Sequence, residues 1–191
     1  ANYNADSSKY RHYQAEISYN RDAAVTYADT WVSGDTIVRN RASWSVYDST
    51  GNCVNYTSQC LYAGFARFDL KTPYVWKWYS EQSDNTSKED GRSPSWTGIN
   101  KFYEYVLNNE GSGMSASVGG NFYSGEPGDI IIAGTGDSFN MTMIIVEVVK
   151  DEDGNVIDYL VDSNTSDRKH YPISCWGYTT MELIHINGWN E

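Results

Sequence analysis

The stretch Gly51-Asn52-Cys53-Val54-Asn55-Tyr56-Thr57-Ser58-Gln59-Cys60-Leu61-Tyr62-Ala63-Gly64 decides how the rest of the chain is read. Gly51 and Asn52 lead into a helix over about Cys53 to Ala63, and Gly64 closes it. Cys53 then falls in the first turn, where unpaired backbone N–H groups and the helix macrodipole favour negative charge. A cysteine so placed is a candidate thiolate nucleophile. The competing reading is a small buried hydrophobe. Cys60 lies almost two turns further on, roughly 10.5 Å along the axis, so these two thiols cannot bond to each other. Cys60 reads as core, and either cysteine could pair with Cys175 only if the fold brings them together.

Upstream, Ala23, Ala24, Tyr27, Ala28 and Trp31 recur at helical spacing between Asn20 and Val32, behind a possible Asn20 cap. Downstream, residues 71–94 hold Pro73, a Trp76-Lys77-Trp78-Tyr79 cluster and a Ser-, Asp- and Asn-rich stretch, the texture of a long surface loop with an aromatic anchor. A third helix is expected after Ser95, through Ile99, Phe102, Tyr103, Val106 and Leu107 to Asn109, and the Gly-rich run from Gly111 to Gly120 breaks it. β-Branched stretches follow at Asp129 to Ala133, Thr142 to Val149, Asn155 to Val161 and Thr180 to Ile186. Asp151-Glu152-Asp153-Gly154 joins the middle pair as a hairpin turn, which makes their pairing antiparallel. Helices first and antiparallel strands afterwards is the pattern of an α+β domain. Neither an internal repeat nor a linker divides residues 1–191, so one domain is expected.

Composition narrows the function. The 191 residues carry 14 Lys and Arg against 25 Asp and Glu, a net charge of −11, and are 40% hydrophobic and 15% aromatic. The charge density is too low for a disordered polymer, and a chain of this length buries well over half of its unfolded surface. A field this negative repels phosphate backbones and anionic headgroups, which argues against nucleic-acid and membrane partners. Met143 to Val149, interrupted by Glu147, is the longest apolar run and falls far short of the roughly 20 residues of a membrane helix. Three cysteines leave at least one thiol free. A start at Ala1 fits either a mature secreted product or a piece trimmed from a longer protein.

The run from Gly51 to Gly64 resembles the putative amidase domain of the papain-like superfamily. That family's pattern reads glycine, aspartate, cysteine, threonine, asparagine, phenylalanine, valine, serine, glutamine, cysteine, leucine. Tyr19-Asn20-Arg21 with Ala23-Ala24 and Tyr27-Ala28 is similar to its opening helix, Ser95-Trp96-Thr97 to its middle, and Pro127-Gly128-Asp129 to the start of its sheet. The resemblance covers about residues 19–186. It implies a papain-like α+β fold, with N-terminal helices packed on a C-terminal antiparallel sheet. It also implies a secreted or cell-surface bacterial cysteine amidohydrolase acting on peptide or cell-wall amide bonds, with no cofactor.

In such an enzyme the thiolate attacks the amide carbonyl, a histidine shuttles the proton and a polar side chain orients the imidazole. The family's histidine stands in a run like asparagine, histidine, serine or threonine, methionine, isoleucine, valine. Here Asn140-Met141-Thr142-Met143-Ile144-Ile145-Val146 takes its place, so the histidine position is Met141, whose thioether moves no proton at useful pH. The family's Ser-His-Thr-x-Asp-like run reads Ser163-Asn164-Thr165-Ser166-Asp167, which makes Asn164 the orienting residue with no imidazole to orient. Asn52 replaces the aspartate before the cysteine. Changes clustered at one site point to a lost or altered activity.

Of the three histidines, His12 lies in the polar N-terminal arm, His185 alternates among apolar strand residues and reads as core or edge, and His170 reads as part of a loop from which it could substitute as base. No metal-ligand spacing, phosphate loop or basic stripe stands out. The acidic turn at Asp151 lacks the closing ligands of a calcium loop, and four Asn-x-Ser/Thr matches are given no function. Two functions remain. One is an amidase impaired at Met141. The other is a catalytically silent module that holds a peptide or glycan in the same cleft, with Asn52, Trp76 and Trp78 as binding residues and Tyr79 at the rim.

Overall fold

The computed structural model describes residues 15–49 and 51–191; His12 lies outside them. The first helix, α1 (Arg21–Thr30), begins where Asn20 Oδ1 accepts the Ala23 N–H at 3.0 Å. Its small face, Ala24 and Ala28, is fully buried and lets α2 (Cys53–Phe65) approach so closely that Tyr56 donates its hydroxyl to Ala28 O at 2.9 Å. Gly64 makes a similar approach possible at the far end, since a Cβ there would lie 2.2 Å from the Tyr19 ring. The helix does not stop at Gly64 but one residue later, with Ala66 in the left-handed conformation at φ 54°.

Nearly every side of α2 is covered, so its polar residues bond inside the protein. Asn55 accepts from Trp96 Nε1 at 2.9 Å, Ser58 donates to Trp96 O at 3.0 Å, and Gln59 accepts from the Tyr27 hydroxyl at 2.8 Å. The expected third helix is two pieces, α3 (Pro94–Thr97) and α4 (Ile99–Asn108), because Gly98 between them is extended. Phe102, Tyr105 and Val106 carry the buried stripe of α4.

The sheet has six antiparallel strands: β1 (Gly113–Val118), β2 (Ile130–Thr135), β3 (Ser138–Lys150), β4 (Val156–Ser163), β5 (Arg168–Pro172) and β6 (Thr180–Asn190), in the order β1-β6-β2-β3-β4-β5. The α+β reading and the β3–β4 hairpin at Asp151–Gly154 hold. Both outer strands run against expectation. β1 lies inside the Gly-rich run whose composition predicts only a break, and β5 holds His170, for which the sequence predicts a loop. Both are short edge strands: β1 pairs with β6, far away in the sequence, and β5, which turns back on β4 right after Ser163, opens with Arg168, Lys169 and His170, so no apolar periodicity announces either.

The segment of residues 71–94 is also less superficial than its composition suggests. Trp76 and Lys77 are fully buried, and Lys77 Nζ donates to Lys88 O at 2.6 Å and Asp90 O at 2.7 Å, pinning the loop from within.

Candidate active site

Cys53 opens α2 with 7% of its surface exposed, next to an asparagine network that is almost entirely buried. Asn52 Nδ2 donates to Asn164 Oδ1 at 2.7 Å, while Asn52 Oδ1 accepts from Tyr47 N at 3.0 Å and Asn55 Nδ2 at 2.8 Å. The backbone N–H of Asn52 donates to Thr165 Oγ1 at 2.6 Å. Asn164 follows β4 directly, and the turn it begins places Thr165 and Ser166 at φ 67° and 61°, conformations that cost a non-glycine residue energy and persist only when braced. Arg39 is the brace. Its side chain is 4% exposed and grips Asp167 through Nη1 at 2.6 Å and Nη2 at 3.2 Å, with Asp48 on Nε at 2.8 Å. A short, charge-assisted fork of this kind is among the stronger side-chain contacts.

Cys53, Asn52 and Asn164 are therefore brought to one place. The side chains at positions 52 and 164 meet each other directly. Asn52 and Asn164 keep a hydrogen bond there without a charge or a titrating group.

Met141 is not part of this network. Thr142 Oγ1 lies 3.1 Å from Thr57 Oγ1, so Thr142 faces α2. Ile132, its partner in β2, is opposite Glu182, which accepts from Tyr103 of α4 at 2.8 Å, and this marks the same helix-covered face. Neighbouring strand residues point to opposite faces, so Met141, 4% exposed, lies on the side of the sheet away from α2.

Neither described histidine is turned to the thiol. His170 Nε2 is 2.6 Å from Asp29 Oδ1, and His185 Nδ1 is 2.8 Å from Asp129 Oδ2. Asp129 is fully buried and also holds Arg21 at 2.7 Å, which makes His185, in the interior strand β6, a structural residue.

The tryptophans divide. Trp76 has no exposed surface, donates Nε1 to Ser58 at 3.3 Å and packs on Trp96 with ring centroids 4.8 Å apart. It is a core residue and cannot line a cleft, because its large apolar area is spent covering α2. Trp78 is half-buried, lies edge-on to Trp44 at 5.2 Å and donates to the Tyr47 hydroxyl at 3.3 Å, which connects it through Tyr47 to Asn52.

Sequence reading did not single out Arg39, Tyr47 or Tyr178. Burial raises the pKa of the half-buried Tyr178 hydroxyl, with a smaller electrostatic contribution from Cys53. All three come from loops or distant strands, where no period links them to Cys53. The three cysteines are free, Cys53 and Cys60 buried and Cys175 exposed.

No curated protein and no solved structure matches this chain. At the level of a family, residues 18–186 match the putative amidase domain, and the chain belongs to that family.

Proposed function

We propose that this amidase-family domain is impaired in hydrolysis and holds a peptide or cell-wall amide at the Cys53 end of α2 without turning it over at an enzymic rate. In this reading the arrangement is papain-like, Cys53 occupies the nucleophile position, Asn164 the orienting position, and Asn52 and Trp78 border the ligand. The domain would work outside the cell or at a bacterial surface, where such amides are found.

The observation that carries the proposal is the Asn52 to Asn164 hydrogen bond at 2.7 Å. It keeps the local geometry and contains no group that can accept a proton from a thiol or return one to a leaving amine. General acid–base help is commonly worth about 10²–10⁴-fold in rate, so its loss leaves binding as the remaining capability.

The test compares the parent chain with Cys53→Ala and Met141→His on peptidoglycan-derived peptides, following both binding and amide cleavage, with iodoacetamide labelling of Cys53 alongside. The expected outcome is binding by the parent, cleavage no faster than in Cys53→Ala, and no gain in Met141→His, whose side chain lies on the far sheet face. Cleavage by the parent that depends on Cys53 would refute the proposal, as would absence of binding.

A further inference from the structure

A second cluster lies where α1 packs against the β4 and β5 edge of the sheet. Asp29 in α1, Asp162 in β4 and His170 in β5 each offer one ligand atom, and the three atoms lie within 4.8 Å of one another. Asp162 is fully buried. Its Oδ1 accepts the His170 backbone N–H at 2.7 Å, but its Oδ2, equally buried, has no hydrogen-bond partner. A buried carboxylate oxygen with nothing to bind is costly, and a native fold usually supplies a donor, a water or an ion. Lys169, the nearby cation, does not fill this role: its Nζ is directed to Asp29, 2.7 Å from the backbone oxygen and 3.6 Å from Oδ1.

We propose that Asp29, Asp162 and His170 bind a divalent transition-metal ion, with zinc the best match to one imidazole nitrogen and two carboxylate oxygens. These ligand types take zinc at about 2.0–2.2 Å in a tetrahedron, which sets ligand atoms about 3.4 Å apart. The cluster therefore has to tighten around the ion while the 2.6 Å contact between His170 Nε2 and Asp29 Oδ1 opens by less than an ångström. Asp29 and His170 side chains are 34% and 42% exposed, so both have room to rotate, and Lys169, 40% exposed, can turn to solvent. The fourth position is left for water.

Such an ion would tie the end of α1 to the two outer strands and stabilise the fold by mass action. Its ligands stand at positions 29, 162 and 170, so no short spacing in the sequence marks the site.

The test is equilibrium dialysis and thermal melting of the tag-free chain with zinc sulfate alone, its reactive thiols blocked beforehand so that cysteine cannot ligate. One zinc per chain and a raised melting temperature are expected for the parent, and both are expected to be lost in Asp162→Asn and in His170→Gln. Cobalt in place of zinc should give the visible absorption of a tetrahedral nitrogen–oxygen site. Absence of zinc binding by the parent would overturn the proposal, and so would zinc binding that survives His170→Gln, a variant at an exposed side chain that leaves folding intact.

Discussion

Replacing Asp69 with asparagine should reduce the dependence of stability on pH between about 4 and 6. Asp69 is 2% exposed, accepts Lys71 N at 2.9 Å and the Tyr105 hydroxyl at 2.9 Å, and exchanges backbone hydrogen bonds with Trp76. Burial raises its carboxyl from 3.8 to about 6, with the hydrogen bonds from Lys71 and Tyr105 opposing the rise. A carboxyl whose folded value lies above its unfolded one binds its proton more tightly in the fold. Its contribution to stability is therefore complete below the unfolded value and disappears as pH rises through the folded one.

A shift of about two units at 1.36 kcal/mol each makes this loss on the order of 3 kcal/mol for one group. Asp162 is pushed by burial in the same direction, also to about 6, so the metal-free parent should lose the sum and Asp69→Asn only the Asp162 share. Urea midpoints followed by fluorescence of the seven tryptophans at a series of pH values give the two curves directly. The difference in their slopes, rather than the absolute stability of the variant, is the quantity at issue. Parallel curves for parent and variant across this interval would refute the reasoning, since they would show that Asp69 binds its proton equally well folded and unfolded.

Other substitutions probe the packing that positions the site. Gly64→Ala should cost about 1–3 kcal/mol, because the added methyl meets the Tyr19 ring at 2.2 Å and 2.7 Å and Asn20 O at 2.9 Å; a melting temperature equal to the parent's would contradict that close approach. Trp76→Ala should lose about 3–5 kcal/mol in urea unfolding, whereas a tryptophan serving only at a cleft rim would leave the midpoint unchanged. Asn52→Ala strands Asn164 in a buried position and should cost about 1–3 kcal/mol. The double variant Asn52→Ala/Asn164→Ala should cost less than the sum of the singles, and strict additivity would argue against the hydrogen bond between them.

Several features of this protein can be read from the chain alone. The acidic charge, the helices built on Ala24 and Ala28 and on Cys53 to Ala63, and the hairpin at Asp151-Gly154 all follow from local rules: charge sums, a period of 3.6 and a turn that needs a positive φ at Gly154. The position of Cys53 in the first turn of a helix is legible for the same reason. Tertiary structure alone decides which residues share space with that thiol. Asn52 meets Asn164, 112 positions further along the chain, and Arg39 holds Asp167, 128 positions further along, so no short window of sequence contains either pair. Met141 shows the limit most clearly. Its alignment with the family's histidine is a matter of sequence, but the face it occupies is set by the strand register that turns Thr142 toward Thr57. Trp76 and Trp78, two residues apart, look alike in a polar loop and part company because only the first falls over α2. Side-chain periodicity assigns residues to faces, whereas the packing of whole elements determines what each face meets.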